Sequence, residues 1–196
     1  MVTTTDSITA FPLRGGRVHE AGGPAAAAFA AVCIAQGRAG NGDGRAALWV
    51  REGWLPGMAN PSGLQAYFDV SAMVLAQTRG QTDTLAVAEE ALRDGSVTHV
   101  IVELTAPLSL REGRRLQLAA QAGQTTGLCL IPEGMGSNAA ESRWHCAPVP
   151  DPDSAPEDST LQCWRITKNK SGTLGAWHVR WDQSARRLVV VSASGE

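Results

Sequence analysis

The chain has 196 residues, 43% of them hydrophobic and 18% charged, with a formal net charge of −2. That length suits a single domain over 1–196, or one domain with a small appendage, and allows a sizeable buried core. The composition is that of a soluble globular protein and excludes a disordered chain. No apolar stretch approaches the roughly 18 residues of a membrane span, and Met1-Val2-Thr3-Thr4-Thr5-Asp6 lacks the basic start of a signal peptide.

Residues 1–16 form a short, polar, turn-rich segment, and Arg17-Val18-His19-Glu20-Ala21 then reads as a strand. Gly22-Gly23-Pro24-Ala25-Ala26-Ala27-Ala28-Phe29-Ala30-Ala31 follows, where strand gives way to helix. A phosphate-binding loop at such a place reads G-x-x-x-x-G-K-[ST]. Its glycines admit the phosphates, its Lys contacts them and its hydroxyl holds magnesium. Counted from Gly23, the second glycine is Ala28, the Lys is Phe29 and the hydroxyl residue is Ala30, which makes a degenerate phosphate loop. Taken alone, the ten residues describe an ordinary Ala-rich core helix after a Gly-Gly turn. Pro24 suits a first helical turn and Ala25 to Gln36 are strong helix formers, so a helix over 24–36 ending at Gly37 is expected.

Gly40-Asn41-Gly42-Asp43-Gly44 reads as a flexible loop, and Ala46-Ala47-Leu48-Trp49-Val50 as a buried strand. Gly53 to Gly63 is a loop with at most one helical turn, and Ser71 to Leu75 a further buried strand. Asp83 to Arg93 is the clearest helix, with Leu85, Ala88 and Leu92 at helical spacing and Gly95 to close it. His99 to Leu104 is a buried strand with Glu103 near its carboxyl end, Leu110 to Ala122 an amphipathic helix, and Thr126 to Ile131 a buried strand. Strand–helix alternation to this point predicts an α/β fold with a mostly parallel sheet flanked by helices. The segment 148–160 is Pro/Asp/Ser-rich and reads as an exposed loop. Segments at 143–146 and over 161–192 alternate as antiparallel strands do, with Trp177, Val179 and Trp181 on one side and His178, Arg180 and Asp182 on the other.

Residues 161–190 hold six cations against Asp182, and Lys168 and Lys170 are the only lysines of the chain. Such a basic end suits nucleic acid or an acidic partner, and a solvated strand face equally well. Cys33, Cys129, Cys146 and Cys163 show no C-x-x-C spacing, and His19, His99, His145 and His178 no H-x-x-x-H, so buried thiols in a reducing compartment are expected, without metal or cofactor.

The order of elements, with the dead phosphate loop, the terminal carboxylate of strand 98–104 and Lys168-Asn169-Lys170 before the last strands, resembles the RecA-like ATPase core. More closely, the chain is similar to the ImuA family, RecA-like accessory proteins of bacterial inducible mutagenesis. The specific pieces are Arg114-Arg115-Leu116-Gln117-Leu118-Ala119-Ala120 and Trp164-Arg165-Ile166 with Gly175-Ala176-Trp177-His178-Val179-Arg180-Trp181. Leu13 to Glu20, Leu48-Trp49-Val50 and Ser142-Arg143-Trp144 add to them.

The resemblance implies a non-catalytic role in SOS-regulated translesion synthesis. The implied partners are ImuB, RecA and an error-prone replicative-type DNA polymerase, with DNA met indirectly or weakly. The implied location is the cytoplasm, at the nucleoid after DNA damage. In the RecA frame Glu52 takes the place of the water-activating carboxylate and Glu103 that of the magnesium-holding acid. Without a nucleotide holder both become relics or solvated strand-end charges. The second DNA-binding loop would fall on Glu133 to Ala140, which holds an acid, its nearest cation, Arg143, lying outside it. Lys168, Asn169 and Lys170 match a motif that reaches a neighbour's nucleotide, which points either to docking on an ATP-bearing RecA protomer or simply to two lysines on an exposed turn before Gly172. Arg114 and Arg115 are further candidates for partner binding, or simply a solvated helix face. The short N-terminus offers no counterpart of RecA's polymerising helix. Two other readings share the same frame: a SulA-like inhibitor of cell division, and a nucleotide-binding ATPase with residual activity.

Overall fold

In a computed structural model, residues 8, 10–41, 46–57, 60–151 and 159–193 are described. Residues 1–7 of the N-terminal segment, 42–44 of the glycine-rich loop and 152–158 of the expected 148–160 loop lie outside them.

In chain order the elements are β1 (Val18–Gly22), α1 (Ala26–Asn41), β2 (Ala47–Glu52), α2 (Pro61–Leu64), β3 (Met73–Thr78), α3 (Gln81–Asp94), β4 (His99–Glu103), α4 (Leu110–Gly123), β5 (Thr126–Leu130), β6 (Ser142–Pro148), β7 (Gln162–Asn169), β8 (Gly175–Asp182) and β9 (Arg187–Ala193). The strands form one nine-stranded sheet in the order β3-β2-β4-β5-β1-β6-β7-β8-β9. All neighbours from β3 to β6 run parallel, and β6 to β9 pair antiparallel. This is the α/β architecture that the sequence predicts.

The period-2 alternation of each strand assigns its side chains to two cores. Trp49, Ile101, Leu128, Trp144 and Trp164 pack with α1 on one face. Val50, Val100, Val102 and Cys129 pack with Ala88 and Leu92 of α3 and Leu116, Ala119 and Ala120 of α4 on the other. Ser109 and Glu112 start α4 with a reciprocal capping box, and Gly95 closes α3 in the left-handed conformation at φ 76°.

Three expectations are corrected. The helix does not stop at Gly37 but runs to Asn41, because Gly37 is there for close packing: a Cβ on it would lie 2.1 Å from Cε1 of His99. The strand expected at 71–75 starts at Met73 and is not buried; β3 is the sheet edge, where Val74 is 54% exposed. The segment at 143–146 is not purely antiparallel: β6 runs parallel to β1 and antiparallel to β7, so it joins the two halves of the sheet.

Candidate functional site

The carboxyl ends of β1, β2, β4 and β5 open a cleft of about 440 Å³, lined by Gly23, Ala27, Trp49, Arg51, Glu103 and Ile131 among others. Open α/β sheets bind ligands outside the carboxyl ends of their strands, so this is the place to look for nucleotide chemistry.

The link from β1 to α1 is only Gly23-Pro24-Ala25. Pro24 has no N–H, the Ala25 N–H donates to the Cys146 carbonyl at 3.0 Å and the Ala26 N–H to the Gly23 carbonyl at 3.1 Å. Gly23 lies at φ 90°, and a Cβ there would come within 2.4 Å of the Cys146 oxygen. The turn is therefore pressed onto β6, and the Ala25 and Ala26 amides are spent inside the chain. A phosphate cradle needs a run of free, convergent N–H groups.

Ala28, Phe29 and Ala30 lie inside α1, as the expected helix over 24–36 places them, although the helix starts at Ala26. Phe29 is fully buried in an aromatic cluster, with ring centroids 4.7 Å from Trp164, 5.2 Å from Trp144 and 6.1 Å from Phe11.

Neither acid is a free strand-end charge: Glu52 is buried and Glu103, partly exposed, is held by side chains, so the solvated reading is corrected. Glu103 accepts from the Trp49 indole N–H at 2.7 Å and lies 3.3 Å from Nε of Arg51. Glu52 is buried, accepting from Trp54 Nε1 at 2.6 Å and from the Thr105 hydroxyl at 2.5 Å. Arg51, itself buried, donates onward to the carbonyls of Gly57 and Leu55, which ties the 53–57 segment along the cleft. Trp49 and Arg51 belong to this constellation, and only the apolar run around Trp49 announced either of them.

Beside the cleft lies the 133–141 loop. Glu20 of β1, 1% exposed, accepts from the Ser137 N–H at 2.8 Å and from Arg143 Nε at 2.7 Å, and Arg143 also donates to the Ser137 carbonyl. Lys168 donates from its ammonium to the carbonyls of Ser137, Asn138 and Ala140 at 3.1, 2.8 and 2.9 Å. Lys170 donates to the Ala139 carbonyl at 2.6 Å, while Asn169 closes its own turn, accepting from Ser171 and donating to Thr173. An ammonium has three N–H groups, so Lys168 keeps none for a phosphate while this clamp holds. Burial, then the neighbouring Lys170 and Arg143, lower the Lys168 pKa from its ordinary value.

Arg114 and Arg115 are adjacent on α4 and therefore diverge. Arg115 reaches Glu89 of α3 at 2.5 Å, and Arg93 reaches the same carboxylate. Arg114 lines a separate groove on the 137–141 side. Away from the cleft, burial lowers the pKa of His99 from 6.5 to about 4 and lowers that of His19, and raises those of Cys33, Cys129 and Cys146. No group of three or more His, Cys, Asp or Glu that could hold a metal occurs among the described residues, and no helix among them is long and apolar enough to cross a membrane.

No protein-family model matches the chain. Over 149 residues, 68% of this chain, it is 29% identical to Protein ImuA of Caulobacter vibrioides, in two strains alike. The match spans 59% of the length of those relatives. Among solved structures, that of the RadB recombinase superposes with a TM-score of 0.63 at 12% identity, covering 89% of this chain and 90% of the other. At that identity the likeness speaks for architecture, and together with the strand order it gives the conclusion: this chain is built on the RecA-like fold.

Proposed function

We propose that the chain is a non-catalytic accessory protein of DNA-damage-induced mutagenesis, serving translesion synthesis in the manner of ImuA. On this reading it works through protein contacts with ImuB, the error-prone replicative-type polymerase and RecA, and meets DNA weakly or through those partners. The observation that carries the proposal is the rebuilt strand-to-helix turn of a RecA-like fold in a chain similar to ImuA. Three residues replace a phosphate loop, and Phe29 sits in the aromatic core. Phosphoryl transfer is almost wholly positioning and charge stabilisation, so acids without a nucleotide holder have nothing to act on. Glu52 and Glu103 hold Trp54, Thr105, Trp49 and Arg51 in place, which is a structural task.

The test is affinity purification of the tagged chain from DNA-damaged cells, followed by reconstitution with purified candidates. Direct binding of ImuB supports the proposal. Binding of the tubulin-like division protein instead would move the chain to the SulA-like class, and magnesium-dependent ATP turnover abolished by Glu103→Gln would move it to the ATPases.

A further inference from the structure

Helix α4 has two faces. Gly113, Leu116, Ala119 and Ala120 are buried against the sheet. Leu110, Arg114, Gln117, Leu118 and Gln121, at the i, i+4, i+7, i+8, i+11 spacing of one stripe, line a separate groove of about 440 Å³ with the 138–141 loop opposite. Leu110 is 50% exposed and Leu118 66%. Single exposed leucines are ordinary, but two on one stripe of a concave surface are not scattered singly.

The groove is rigid and basic. Its floor is fixed by Gln117, which accepts from the Val18 N–H at 3.2 Å and donates to the carbonyls of Val18 and Ala139 at 2.7 and 3.1 Å. Its far wall is the loop whose carbonyls Lys168 and Lys170 clamp. Arg17, Arg114 and Lys170 line it against the single acid Glu141, which is already shared between Arg14 and Arg17 at 3.5 and 3.9 Å. The chain as a whole is at −2, so this cationic surface stands out from an acidic remainder.

We propose that this groove docks an acidic amphipathic helical segment of a protein partner, two apolar side chains seated on Leu110 and Leu118 and carboxylates on Arg114, Arg17 and Lys170. The two leucines are eight residues apart, about 12 Å along the helix at 1.5 Å per residue, a span that apolar anchors two turns apart on a partner helix match. Single-stranded nucleic acid fits less well, because such sites stack bases on aromatic rings and the residues lining this groove include none. The site lies outside the nucleotide cleft and does not depend on the chain acting with any named partner.

The test is selection from a displayed library of 14-residue helical peptides with apolar residues at fixed i, i+4, i+7 positions and all others drawn from Asp, Glu, Lys, Arg, Gln, Ser and Ala. The full chain is the target. The expected result is enrichment of net-acidic peptides whose affinity, read by fluorescence anisotropy, drops at least tenfold with Leu118→Asp and with Arg114→Glu, while both variants melt as wild type does. Three results would overturn the proposal: no enrichment over bare support, enrichment of net-basic peptides, or equal binding to both variants. Binding of an oligothymidine that Arg114→Glu abolishes, with no acidic peptide enriched, would also overturn it and assign the groove to nucleic acid.

Discussion

The cleft at the carboxyl ends of the parallel strands and the groove beside α4 are both concave and both carry arginine and lysine or carboxylate, yet they differ in what those charges are doing. In the cleft the charges mostly face the chain itself: Glu103 meets Trp49 and Arg51, and Arg51 donates to the carbonyls of Leu55 and Gly57, while its buried Nε makes no hydrogen bond. In the groove Arg114 lies beside two half-exposed leucines on a floor held by Gln117. A charge held by its own chain has less to give a ligand than a cation such as Arg114 beside exposed apolar carbon. The two concavities have the same volume, about 440 Å³, and differ in what lines them.

The harshest way to break this contrast is to restore the lysine of a phosphate loop. Phe29→Lys removes a fully buried ring from contact with Trp144 and Trp164 and buries an ammonium without a partner. We expect a loss of at least about 5 kcal/mol in urea denaturation, enough to unfold many domains, and no gain of ATP binding. A folded, ATP-binding variant would mean that the turn still carries a latent phosphate site.

The support of the 133–141 loop comes next. Arg143→Ala strips the cation from Glu20, a carboxylate 1% exposed, and should cost about 3–5 kcal/mol by denaturant unfolding, as breaking a buried pair from one side does. Glu20→Gln, which keeps the Ser137 contact, should cost less.

Acid should weaken the α1 face through His99. Its pKa is about 4 in the native chain against 6.5 unfolded, chiefly through burial. Between those values the unfolded state binds the proton and the native state does not, so stability falls as pH drops from 6.5 towards 4, by about 3 kcal/mol in all. His99→Gln should flatten that limb of a pH series of thermal melts; an unchanged limb would place the acid sensitivity on His19 or elsewhere.

The smallest effect sharpens the other side of the comparison. Leu118→Ser, at a position 66% exposed, should change stability by no more than about 0.5 kcal/mol, because the groove is not part of the core. A loss of 2 kcal/mol or more, read by the same urea titration, would mean that Leu118 is packed against the chain itself.

What the sequence made legible follows from range. β4 and β5 were plain because runs such as Val100-Ile101-Val102 bury both faces of a parallel strand, and α3 because Leu85, Ala88 and Leu92 repeat on one side with Gly95 to stop it. Gly37 misled for the opposite reason. Its role is set by His99, a residue that no local pattern brings near it. The same holds at the site. Glu20 read as one charge in a strand because its partners Ser137 and Arg143 are more than a hundred residues away. Lys168 and Lys170 were singled out by composition, but the carbonyls they hold lie in a loop some thirty residues earlier, so the sequence suggested a phosphate where the structure has backbone oxygen. Counting from Gly23 shows which phosphate-holding groups are missing, but no residue type by itself announces a turn of three residues pressed onto β6.

The central claim is that this RecA-like fold no longer takes a nucleoside triphosphate at the strand ends, and calorimetric titration of the wild-type chain with magnesium-ATP tests it most directly. The account predicts no binding heat up to millimolar nucleotide, and no shift of the melting temperature with it. Micromolar binding that Arg51→Ala or Glu103→Gln weakens would contradict it.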